Sequence, residues 1–77
     1  MNTFQTKDLP EAAFLYATGC KFIGLKSENN SKIYWFVFED KAKCEELSQG
    51  FWNRSAQVSA KEYADALRTL KEVLFRK

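Results

Sequence analysis

The stretch KFIGLKSENNSKIYWFVFED, residues 21–40, decides the fold. Two runs, Lys21 to Ser27 and Lys32 to Phe38, are rich in aromatic and β-branched residues and flank Glu28-Asn29-Asn30-Ser31. Asparagine tolerates positive φ, so Asn29-Asn30 predicts a tight turn and the flanking runs predict an antiparallel hairpin. A two-residue or a four-residue loop gives the same register, pairing Leu25 with Tyr34, Ile23 with Phe36 and Gly24 with Trp35. Side chains alternate along a strand. One face then carries Ile23, Leu25, Tyr34, Phe36 and Phe38. The other carries Cys20, Phe22, Gly24, Lys26, Ile33, Trp35 and Val37. Both faces are apolar, unlike a simple hairpin with one wet side.

Working outward, helices are expected on both flanks. Upstream, Asp8 is an N-cap with Glu11 three residues on, as in a capping box, and Pro10 is tolerated in the first turn. The helix runs to about Thr18 with Gly19 as its left-handed stop, and its expected buried stripe is Leu9, Ala12, Ala13, Tyr16 and Ala17. Ahead of it, Thr3-Phe4-Gln5-Thr6 is extended in character and suits a short extra strand. Downstream, Asp40 caps a second helix from about Lys41 to Gln49 that buries Ala42 or Cys44, then Leu47 and Phe51. Gly50 is expected to stop or kink it, with a linker from Asn53 to Gln57. Ser59 and Glu62 open a third helix whose stripe is Tyr63, Leu67, Leu70 and Leu74. The expected class is α+β, a single domain over residues 1–77 in the order α-β-β-α-α, with a hairpin packed against three helices.

A chain of 77 residues buries a modest core, and its 7 Phe, 3 Tyr and 2 Trp are the means to fill it. Twelve Lys plus Arg against ten Asp plus Glu leave a net charge of +2, too small to argue for nucleic acid by itself. No apolar run approaches the ~20 residues that span a bilayer. Met1 leads straight into structured-looking sequence, so the expected setting is cytoplasmic, with Cys20 and Cys44 as reduced thiols.

The absence of histidine removes the usual general base, the commonest metal ligand and every imidazole triad. Two cysteines 24 positions apart lack the paired spacing of a zinc site and read as small buried hydrophobes. No glycine-rich phosphate loop is present. Glu39-Asp40 and Glu45-Glu46 are neighbours in sequence, read as a cap and a solvated face. The expectation is a protein that is not an enzyme and needs no cofactor and no metal.

The second hairpin face is the sharpest binding feature. Phe22 and Trp35 lie around Gly24, flanked by Lys26 and Lys32, and aromatic rings beside lysines suit single-stranded nucleic acid. Phe51, Trp52 and Arg54 are placed to extend that surface. The same face also reads as core under a helix, with Trp35 covering the gap at Gly24, or as a sheet that pairs with a second copy.

Phe4, Thr6, Asp8-Leu9, Ala12-Ala13, Leu15 and Gly19 form a pattern with Phe36-Val37-Phe38-Glu39-Asp40. Trp52, Val58, Tyr63, Ala66-Leu67 and Leu70-Lys71 complete it. This pattern resembles a family of short bacterial and phage proteins, domain of unknown function 5659. The resemblance implies a stand-alone domain carried on mobile elements, with Phe4 and Trp52 anchoring the chain ends to the core; it implies no activity and no functional residues. The expected function is a small non-catalytic binding protein whose ligand is single-stranded DNA or RNA, held by Phe22, Lys26, Lys32, Trp35, Trp52 and Arg54. The alternative is a protein-interaction module, either a homodimer or an adaptor that regulates a larger enzyme. No membrane partner is expected.

Overall fold

In a computed structural model, which describes residues 2–27 and 33–76, Phe36 and Phe38 sit at the centre of the protein with 1 % and 0 % of their surface exposed. They belong to the middle strand of a three-stranded antiparallel sheet. The strands are β1 (Thr3–Thr6), β2 (Phe22–Ser27) and β3 (Tyr34–Glu39), in the spatial order β1-β3-β2. The helices are α1 (Leu9–Ala17), α2 (Lys41–Trp52) and α3 (Ala60–Phe75). The N-terminal strand is real, so the chain order is β-α-β-β-α-α and the class is α+β. Because β1 pairs along the other side of β3, a hairpin strand becomes the central strand of the sheet.

The hairpin register differs from the expected one. Leu25 faces Phe36, Lys26 faces Trp35 and Ser27 faces Tyr34, two positions away from the predicted pairing. A β-bulge lies between Phe22 and Gly24, where Phe22 faces Phe38 and Gly24 faces Val37. An extra residue in one strand reverses the alternation beyond it. Phe22 therefore turns toward the helices instead of sharing a face with Trp35, and Cys20 is buried in the core beside the same layer. Burial rewards the bulge: the Phe22 ring lies 5.5 Å from Phe38 and 6.3 Å from Phe36, centroid to centroid. The expected turn at Asn29-Asn30 lies outside the described residues.

All three helix caps form where expected: Asp8, Asp40 and Ser59 accept from the backbone N–H of Glu11, Lys43 and Glu62. The core fills from one sheet face with Ala12, Ala13, Phe14, Leu15, Ala66 and Leu70. α1 buries Phe14 and Leu15 in place of the predicted Tyr16, which stays 39 % exposed. The reason is that α1 touches both other helices and β1, so more than one stripe is covered. In α2, Cys44 is buried and Ala42 is exposed. Gly50 does not stop this helix, which runs on to Trp52. An added Cβ there would lie 3.2 Å from the Ala56 Cβ, and the Gly50 carbonyl accepts from the N–H groups of Ser55 and Ala56 at 3.0 and 3.1 Å. The glycine lets the returning chain rest on the last turn of α2.

Candidate functional site

The face of the sheet turned away from the helices is made by Thr3 and Gln5 of β1, Trp35, Val37 and Glu39 of β3, and Gly24 and Lys26 of β2, as the strand registers require. Lys7 continues the alternation of β1 by one step, and its Nζ lies 5.0 Å from the centroid of the Trp35 ring. Lys26 is the direct cross-strand neighbour of Trp35 on the other side. Lys7, Trp35 and Lys26 thus form one row across the sheet, an indole with one ammonium over its ring and a second lysine on the neighbouring strand. Adjacent strands are ~4.8 Å apart, so the row spans about 10 Å of sheet. Both lysines are exposed and Trp35 is half-buried. Ile23, in the bulge, is 52 % exposed, and Ile33, just before β3, is 43 % exposed. The Trp35 row has a lysine on each side, and the Glu39 carboxylate lies at the opposite end of the face.

The residues expected to bind nucleic acid do not form one surface. Lys26 and Trp35 share the open face. Phe22 is on the helix side of the sheet, its ring edge-on to Tyr16 at 6.4 Å. Lys32 lies outside the described residues. Trp52 ends α2, and Arg54 follows it with φ 64°, the left-handed region. Arg54 borders a cavity of about 310 Å³ with Phe14, Phe51, Ala56, Val58 and Tyr63, within the helical layer. Burial, and secondarily the charge of Asp8, push the Tyr63 hydroxyl above its ordinary pKa. The sequence reading misses Lys7, although the every-second-residue pattern Thr3, Gln5, Lys7 points to it.

Trp52 is tied to the rest of the fold through its indole nitrogen. Its ring is 59 % exposed, yet its Nε1–H donates to Glu11 Oε2 at 3.1 Å. The same Oε2 accepts from the Ser48 hydroxyl, and Oε1 accepts from the Thr6 hydroxyl at 2.6 Å. Glu11 is 5 % exposed and joins β1, α1 and the C-terminal part of α2. Instead of folding back as a capping-box glutamate, it supplies a buried acceptor for three neutral donors. Both its oxygens are engaged, so the cluster ties β1, α1 and α2 together.

Among the described residues, no group of three or more Cys, Asp or Glu side chains is placed to hold a metal ion. No helix among them is long and apolar enough to cross a membrane. No curated protein and no solved structure matches the chain. The family described as Domain of unknown function (DUF5659) matches residues 1–76, nearly the full length, and with that extent of agreement the chain belongs to this family.

Proposed function

We propose that the protein binds single-stranded nucleic acid on the open face of its sheet, with Trp35 as the stacking platform and Lys7 and Lys26 as the phosphate contacts. The observation that carries this reading is the row Lys7-Trp35-Lys26. A base that stacks on the indole displaces the Lys7 ammonium from the ring and frees it for a neighbouring phosphate. Lys26 offers a second cation on the opposite side. Stacking on an aromatic ring contributes ~1–3 kcal/mol per base and tolerates any sequence. Two ammonium groups add a salt-dependent component. The proposal differs from the sequence-level expectation in its ring: Trp35 acts without Phe22. Duplexes are excluded by the same logic, since their bases are already stacked.

Fluorescence anisotropy of a labelled single-stranded oligonucleotide tests this at ~50 mM salt, a regime that favours phosphate contacts. Binding is expected for the wild type and lowered ~10-fold or more by Trp35→Ala. Retained affinity in Trp35→Ala, or no binding by the wild type at high micromolar protein, contradicts it. A second reading, a protein-interaction face that includes pairing with a second copy, is favoured by the exposure of Ile23 and Ile33. It predicts a dimeric mass in sedimentation that Ile23→Lys abolishes.

A further inference from the structure

We propose that Cys20 and Cys44 form an intramolecular disulfide when the domain folds in an oxidising medium, a covalent staple between the entry to β2 and the first turns of α2. The two cysteines of the chain are 24 positions apart, yet their Sγ atoms lie 3.5 Å apart in the core. Both are free thiols, 5 % and 0 % exposed. A disulfide bond is about 2.05 Å long, so closure asks for a movement of about 1.5 Å shared between two side chains. The Cys44 thiol also reaches the Glu39 carbonyl oxygen at 3.3 Å, at the end of β3. The staple would therefore fasten the sheet to the helical layer at the place where β2, β3 and α2 meet. This inference is independent of the nucleic-acid reading.

The oxidant is a small-molecule disulfide such as oxidised glutathione. One protein thiolate attacks it, expels the first glutathione thiolate and leaves a mixed disulfide. The second protein thiolate then attacks the protein sulfur of that mixed disulfide and expels the second glutathione. The two cysteines lose two electrons and two protons, and the oxidised glutathione leaves as two thiols. The fold itself governs when this happens. Both sulfurs are sealed in the core, and burial, followed by the hydrogen bond with Cys20, pushes the Cys44 thiol up to about 12, so native Cys44 holds almost no thiolate at neutral pH. Exchange must run through an opened form or during folding, after which the closed core shields the bond.

The test begins with reduced wild-type protein unfolded in urea and diluted into a buffer of reduced and oxidised glutathione. After acid quenching, the expected monomer has an intact mass lower by about 2 Da and no thiol to alkylate. Its melting midpoint is expected at least ~10 °C above that of the dithiol form, because a closed loop restricts the unfolded chain. The same mixture held in urea is expected to stay mostly open. The Cys20→Ala/Cys44→Ala variant is expected to melt at one temperature in both redox buffers. Folded protein that retains both thiols, a disulfide form that melts at or below the dithiol, or disulfides formed between chains would each overturn the proposal.

Discussion

Replacing Glu11 with alanine removes the shared acceptor of Thr6, Ser48 and Trp52, and its expected cost is ~1–3 kcal/mol in urea unfolding, chiefly because the buried Thr6 hydroxyl loses its partner. Glu11→Gln keeps one oxygen and is expected to cost about half as much. Equal stability of all three proteins would show that the cluster is not made. Cys44 gives a prediction in pH. Its thiol titrates near 9.0 in the unfolded chain and about 12 in the fold. Between these values the unfolded state releases a proton that the folded state keeps, so stability present below pH 9.0 falls as pH rises toward 12. The difference between wild type and Cys44→Ala should shrink across that window; a difference independent of pH would contradict the assignment. Arg54 holds φ 64° without a glycine's freedom. Arg54→Gly is expected to raise stability by about 0.5–1 kcal/mol, read from the thermal midpoint.

Within single elements, the bulge in β2 determines what faces what. The bulge sets Phe22 opposite Phe38, and Phe22→Ala is expected to cost ~2 kcal/mol or more in urea unfolding, as for a large core side chain removed. A Phe22→Ala variant of unchanged stability would mean that the bulge does not hold Phe22 in the core. The three caps were legible because Asp8, Asp40 and Ser59 act on backbone within the first turn of the helix each one opens. The third helix was legible because its apolar repeat is long. The bulge was hidden, since Cys20-Lys21-Phe22-Ile23 fits a regular strand equally well and only contact with Phe36 and Phe38 decides. Gly50 was misleading for a similar reason: its value lies in the approach of Ala56, beyond the end of the helix. Glu11 satisfied a local rule in the sequence, whereas its partners Ser48 and Trp52 are 37 and 41 positions away.

At the scale of the molecule, three helices cover one side of the sheet and leave Trp35 on the other. The apolar second face was readable in the sequence, and its Gly24, Lys26, Ile33, Trp35 and Val37 do share the open side. Lys7 joins them only because β1 lies beside β3, a long-range pairing that no local pattern announces. Oligonucleotide affinity is expected to fall with salt. Lys7→Ala/Lys26→Ala is expected to flatten the slope of log affinity against log salt by ~1.4, about 0.7 for each phosphate that no longer meets an ammonium group. The two indole N–H resonances in a proton–nitrogen correlation spectrum put the account to its most direct test, with Trp52→Phe assigning them. On addition of a single-stranded oligonucleotide, the Trp35 signal is predicted to shift while the Trp52 signal, held by Glu11, stays in place. A spectrum in which only the Trp52 signal moves, or neither does, would contradict the open sheet face as the binding surface.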